Sequence, residues 1–192
     1  MGLTGSLKRA SAMAAFACAL VLFSPNAAAD GRVEIRSAES QLVDGVHQAS
    51  VRVQYQLSSR VEEALANGIA LQIALDFEIY RTRRFLPDPS VATVNLSYAL
   101  RYNTVTERYT LRNINTGQQA SFATIFAALN ALGRIDAVPL VDASLLRENA
   151  NHTVRLRAQV SIADYPLSLK YLLFWRDDWR VASNWYTWPL VR

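Results

Sequence analysis

The 192 residues suit one domain with room for a real core, since domains run to about 100–200 residues. Hydrophobic residues make up 51% and aromatics 10%, which excludes a disordered chain. The formal net charge is +4, and no basic run is long enough to suggest nucleic-acid binding.

Residues 1–29 read as a cleaved secretory signal peptide. Lys8 and Arg9 form a positive start, and Met13 to Phe23 is an uncharged apolar run of 11 residues. A bilayer-spanning helix needs about 20, so a retained membrane anchor is the weaker reading. Ser24, Pro25 and Asn26 break the run, Ala27-Ala28-Ala29 offers a cleavage site, and Asp30 is the first acidic residue. Cys18 is the sole cysteine and lies inside the run, not at its end where a lipid-bearing cysteine would stand. Residues 30–192 therefore hold no disulfide, thiolate nucleophile or zinc–thiolate site. Without Lys8 and Arg9, 18 basic and 16 acidic residues leave a net charge of +2.

From Asp30 onward, alternation of apolar and polar residues predicts strands. Val33 and Ile35 open the sheet, and Val51, Val53, Tyr55 and Leu57 share the next face. Ser59 and Glu62 form a capping box for a short helix over 60–67, and Gly68 stops it. Ile69, Leu71, Ile73, Leu75, Phe77 and Ile79 line one face of a long strand; Val94, Leu96, Tyr98 and Leu100 line another. A turn near Asn103-Thr104 leads to Tyr109 and Leu111. Ser121 caps a second helix carrying Phe122, Ile125, Phe126, Leu129 and Leu132, and Gly133 ends it. Residues 134–151 are ambiguous, with a turn or short helix over 142–148. Val154, Leu156, Ala158, Val160 and Ile162 mark a further strand, Asp164-Tyr165-Pro166 a turn or helix start, and Trp179, Val181 and Trp185 the last strand. One solvated face per strand implies antiparallel pairing. The expected fold is mainly β: an antiparallel sandwich, immunoglobulin-like or similar, with two or three short helices in one domain over 30–192.

No catalytic, metal or cofactor constellation stands out. Asp76 and Glu78 share a strand face and resemble an acid–base pair for glycoside hydrolysis, but a solvated sheet face explains them as well. Arg81, Arg83 and Arg84 form the best anion-binding candidate; the plainer reading is a strand end guarded by charge. The four tryptophans fall within the last 18 residues. Trp179 and Trp185 are expected in the core, and Trp188 at the surface as a candidate contact. His47 and His152, the only histidines, sit near turns without ligand-spaced neighbours, so no metal is expected. No Gly-x-Ser-x-Gly or Gly-x-Gly motif occurs, which argues against nucleotide cofactors. Asn95-Leu96-Ser97 and Asn151-His152-Thr153 fit a glycosylation pattern that matters only in a eukaryotic host.

The segments Glu63 to Ile69, Ile79-Tyr80-Arg81-Thr82-Arg83-Arg84, Leu96-Ser97-Tyr98, Tyr109-Thr110-Leu111, Phe122 to Gly133 and Asp178 to Trp185 together resemble a proteobacterial family of exported proteins, domain of unknown function 4390. The resemblance implies a periplasmic protein, and the frequent proximity of family members to a membrane sensor kinase implies envelope signalling. Family members often carry Trp after the arginine cluster, where this chain has Phe85-Leu86. The family lends no catalytic residues.

The expected function is an exported binding or accessory module, without cofactor or stable membrane insertion, and with an envelope protein such as a sensor kinase as partner. The alternatives are a hydrolase of anionic or glycan substrates using Asp76 and Glu78, and membrane-surface contact through the C-terminal aromatics.

Overall fold

A computed structural model describes residues 31–84, 87–162 and 180–190. The signal-peptide reading, Phe85-Leu86, the expected turn at Asp164-Tyr165-Pro166, Trp175 and Trp179 lie outside the described residues.

The described chain runs β1 (Arg32–Val43), β2 (Val46–Gln56), α1 (Ser59–Ala66), β3 (Leu71–Arg81), β4 (Ser90–Asn103), β5 (Arg108–Asn113), β6 (Gln119–Phe122), α2 (Ile125–Leu132), β7 (Arg134–Asp142), a short 3-10 turn (Ala143–Leu145), β8 (His152–Ile162), β9 (Val181–Ala182) and β10 (Tyr186–Pro189). All pairings are antiparallel. One sheet has the order β1-β2-β7; the other has the order β10-β8-β3-β4-β5-β6, with β9 also on β8. The sheets stack as a sandwich, the expected fold, and do not close into a barrel, a distinction that the alternation alone does not make.

Burying one face of each strand drives this arrangement. On β3, Leu71, Ile73, Leu75, Phe77 and Ile79 are all 0–1% exposed. They pair on one side with Leu100, Tyr98, Leu96, Val94 and Ala92 of β4, and on the other with Ile162, Val160, Ala158, Leu156 and Val154 of β8. From the facing sheet, Ala49, Val51, Val53 and Tyr55 of β2 and Val33 and Ile35 of β1 complete the core.

Helix α1 carries the chain between the sheets. Its N-cap is Ser58, whose Oγ accepts from the Val61 N–H, and not Ser59. Both adjacent serines carry the needed hydroxyl, but only Ser58 holds the extended backbone that a cap requires. At the other end the Ile69 N–H bonds the Ala64 carbonyl and the Gly68 N–H bonds that of Leu65, a Schellman closure with Gly68 at φ +83°. Ile69 is thereby used in the cap, and the strand begins at Leu71.

Helix α2 is capped by Thr124, which accepts from the Ala127 N–H at 3.1 Å. Ser121 and Phe122 belong instead to β6, where Ser121 receives Arg108. Of the expected apolar stripe, Leu132 is buried with Ala128, while Phe126 is 77% exposed. Gly133 does end the helix, but with an ordinary φ of −74°. Its role is close approach: the Gly133 carbonyl accepts from the Val53 N–H at 2.9 Å, and a Cβ there would stand 2.2 Å from the Val53 carbonyl oxygen.

Candidate functional site

Three inward-facing rows run out at the same end of the sandwich. On β2 the row of Val51 extends back through Ala49 to His47. On β8 the row of Val154 begins at His152. On β3 the row of Ile79 continues to Arg81, which pairs directly with His152. Between them the bonded edges of the fold give way to a concavity of about 1030 Å³. Both histidines of the chain line it, with Leu42 of β1, Thr82, the segment from Leu146 to Thr153, and Pro189 and Leu190.

The walls are held by backbone bonds that leave the side chains facing inward. The Thr82 N–H bonds the Asn151 carbonyl at 2.8 Å, and the two hydroxyls of Thr82 and Thr153 lie 2.9 Å apart. The Leu190 N–H bonds the His152 carbonyl, and the Ala143 N–H bonds the Gly45 carbonyl, each at 2.9 Å. A bulge between Ile35 and Ser37 shifts the inward row of β1 onto Ala38, Ser40 and Leu42. Leu42 thus stands beside its partner His47 at the mouth.

His47 is 3% exposed, and among the described residues its Nδ1 has no hydrogen-bond partner. Burial lowers its pKa below the ordinary histidine value, which favours the neutral ring. The Ser40 hydroxyl, one inward position before Leu42 on β1, is also buried without a partner among the described residues. Such orphaned polar atoms are rare in folded proteins.

The arginines lie at the β3 side of this end. Desolvation, then the charges of Arg83 and Arg147, lower the pKa of Arg81. Arg147 lines the concavity, with Glu148 beside it, and Arg81 stands at its edge through its pairing with His152. Arg83 is exposed, and its N–H donates to the Asp88 carboxylate at 2.6 Å. Arg84 is exposed and does not line the concavity. None of the three clustered arginines lines the concavity itself: Arg81 pairs with His152 at its edge, and the arginine in its wall is Arg147, 66 positions beyond Arg81.

Trp188 and Trp185 exchange the positions expected of them. Trp188 is 7% exposed and pairs with Val154 in the core, whereas Trp185 is 40% exposed. Trp185 falls in the three-residue break between β9 and β10, which resets the alternation that a continuous strand would have carried to it. Burial at Trp188 removes the surface contact expected of that residue.

Asp76 and Glu78 lie on the outer face of the large sheet, as alternation requires. Each is engaged across strands. Asp76 accepts from Asn95 at 2.5 Å and from Gln159 at 3.2 Å. Glu78 accepts from Tyr80 and pairs with Arg155 of the adjacent strand at 2.6 Å. The Tyr80 bond, then Arg155, hold the Glu78 carboxyl below its usual range. Arg155 lies over the rings of Tyr80 and Trp185 at 4.3 and 4.6 Å. Neither carboxylate lines the end concavity or smaller ones at β1–β9, α2–β2 and β4–β6. Among the described residues no cluster of three or more metal-ligating side chains occurs, and no helix is long and apolar enough to cross a membrane.

A family model described as "Domain of unknown function (DUF4390)" matches residues 30–189. No curated protein and no solved structure matches the chain.

Proposed function

The chain belongs to the DUF4390 family, and from that premise we propose that its domain is an exported binding module that receives an anionic group at the arginine-lined end of the sandwich. The observation that carries this reading is a concavity lined by Arg147 and two buried histidines, with Arg81 paired to His152 at its edge. Guanidinium groups supply charge and directed donors to a carboxylate or phosphate. Like charges gathered in one place also gain most from an arriving anion. Export is supported by the signal-peptide pattern of residues 1–29. An envelope protein, such as a membrane sensor kinase, suits the role of partner because the family resemblance points to envelope signalling.

Binding is favoured over hydrolysis by the state of Asp76 and Glu78. A retaining or inverting pair needs a raised acid and open access to the bond being cut. Here Glu78 is lowered by Tyr80 and Arg155, and both carboxylates are tied to neighbouring strands.

The test is a titration of the protein with acetate and with inorganic phosphate, followed by amide chemical shifts. Saturable shifts confined to Thr82, Arg147 and Asn151, lost in the Arg81→Ala/Arg147→Ala double variant, are expected. Shifts that do not saturate, or that survive the double variant, overturn the reading.

A further inference from the structure

We propose that the end concavity holds a single-chain anionic amphiphile, its acid head at Arg147 and His47, with Arg81 at the edge beside His152, and its chain along Leu42, Leu146 and Leu190. This rests on the anion-binding reading above and names the ligand class.

The first argument is size. A concavity of about 1030 Å³ is far larger than a small inorganic ion and matches pockets for organic ligands of several hundred Å³ and more. The second is the division of its walls. Thr82 and Asn151 are bonded to each other where β3 meets β8, Arg147 and Asn149 add further polar groups, and Leu42, Leu146, Pro189 and Leu190 supply apolar surface. Leu42 is 46% exposed at the mouth, and Leu146 is only partly buried, so both have apolar area left to cover. An isolated exposed leucine means little, but these border one opening.

The third is the backbone. An extended peptide is usually captured by a row of free amide groups on a sheet edge. Here the strands meet the concavity at their ends, and the neighbouring amides of Thr82, Ala143 and Leu190 are already bonded to Asn151, Gly45 and His152. Side chains make the site, which suits one head group with a flexible chain. The fourth is the buried Nδ1 of His47, which has no partner among the described residues. A buried polar atom left unpaired is costly, so a head group that bonds it recovers that cost. Glu148 on the same wall offsets part of the positive charge, and so favours a singly charged head over a multiply charged one.

The experiment is calorimetric titration of the protein with acetate, hexanoate and decanoate, all below micelle concentrations, with decyltrimethylammonium as the cationic control. Each buried methylene tightens binding up to about fourfold. Decanoate is therefore expected to bind at least tenfold tighter than hexanoate. Leu146→Asn is expected to remove most of that gain. His47→Phe should weaken decanoate severalfold; if it lowers the melting temperature strongly, Leu146→Asn carries the test alone.

Equal affinity for acetate and decanoate overturns the amphiphile but leaves the anion site standing. Equal affinity for decanoate and decyltrimethylammonium shows that the chain alone is read and overturns the acidic head. No binding by any acid overturns both readings.

Discussion

Replacing Gly133 by alanine tests whether the join between α2 and β7 is set by close packing or by backbone conformation. Its φ of −74° suits any residue, so conformation alone predicts no penalty. The added methyl, however, would stand 2.2 Å from the Val53 carbonyl oxygen, and that neighbour is backbone that no rotamer change can move. Forcing a methyl into a packed site costs about 1–3 kcal/mol. Relief by moving β2 would stretch the Val53-to-Gly133 hydrogen bond, worth about 0.5–1.5 kcal/mol. We expect Gly133→Ala to destabilise by about 2–4 kcal/mol in urea unfolding. Gly68→Ala is the comparison. Gly68 has a φ of +83° and open space at its Cβ position, so only the left-handed conformation is penalised, by about 1–2 kcal/mol. A Gly133→Ala variant no less stable than Gly68→Ala would refute the packing argument. The same variant probes the site indirectly, because β7 delivers the chain to Ala143 and on to Arg147.

Trp188→Ala is expected to cost about 3–5 kcal/mol in urea unfolding and Trp185→Ala less than about 1, the order set by their exposures of 7% and 40%; the reverse order would contradict the placement of β10. Glu78→Gln is expected to cost no more than about 1 kcal/mol, because its pair with Arg155 is partly exposed, and the effect should shrink in high salt. Stability should also fall on acidification. His47 has a lower pKa folded than unfolded, so in that window the unfolded chain holds more protons. The loss begins as pH falls through the ordinary histidine value of 6.5, grows toward the lowered one, and levels off below it. Thermal unfolding between pH 7.5 and pH 5 should show this slope, and His47→Phe should flatten it; an unchanged slope in the variant would assign it elsewhere.

The central strands were legible because their burial is one-sided and unbroken. Leu71 to Ile79 and Val154 to Val160 carry clean alternation. Strand β7 was not legible. Ala137 sits at φ +57°, and irregularities in its register with β2 break the period of two, leaving Ile135, Val138, Leu140 and Val141 buried at uneven spacing. Strand β6 is four residues long and largely exposed, so it carries no alternation to read.

The site was half legible. Arg81 was visible as part of an arginine cluster, but Arg147 comes to the same end of the sandwich only through the fold. The histidines did carry a signal. Extending the alternating rows back two positions from Ala49 and from Val154 lands on His47 and His152, which marks both as inward-facing at strand ends. Sequence spacing could not show that those ends meet, since 105 positions separate the two residues.

The most direct test of the account is a decanoate analogue carrying a nitroxide at its chain end, added to isotopically labelled protein. The account predicts saturable paramagnetic broadening at Leu42, His47, Leu146 and Leu190, displaced by unlabelled decanoate. Broadening centred on Arg155 and Trp185 on the outer sheet face, or none that decanoate displaces, would contradict it.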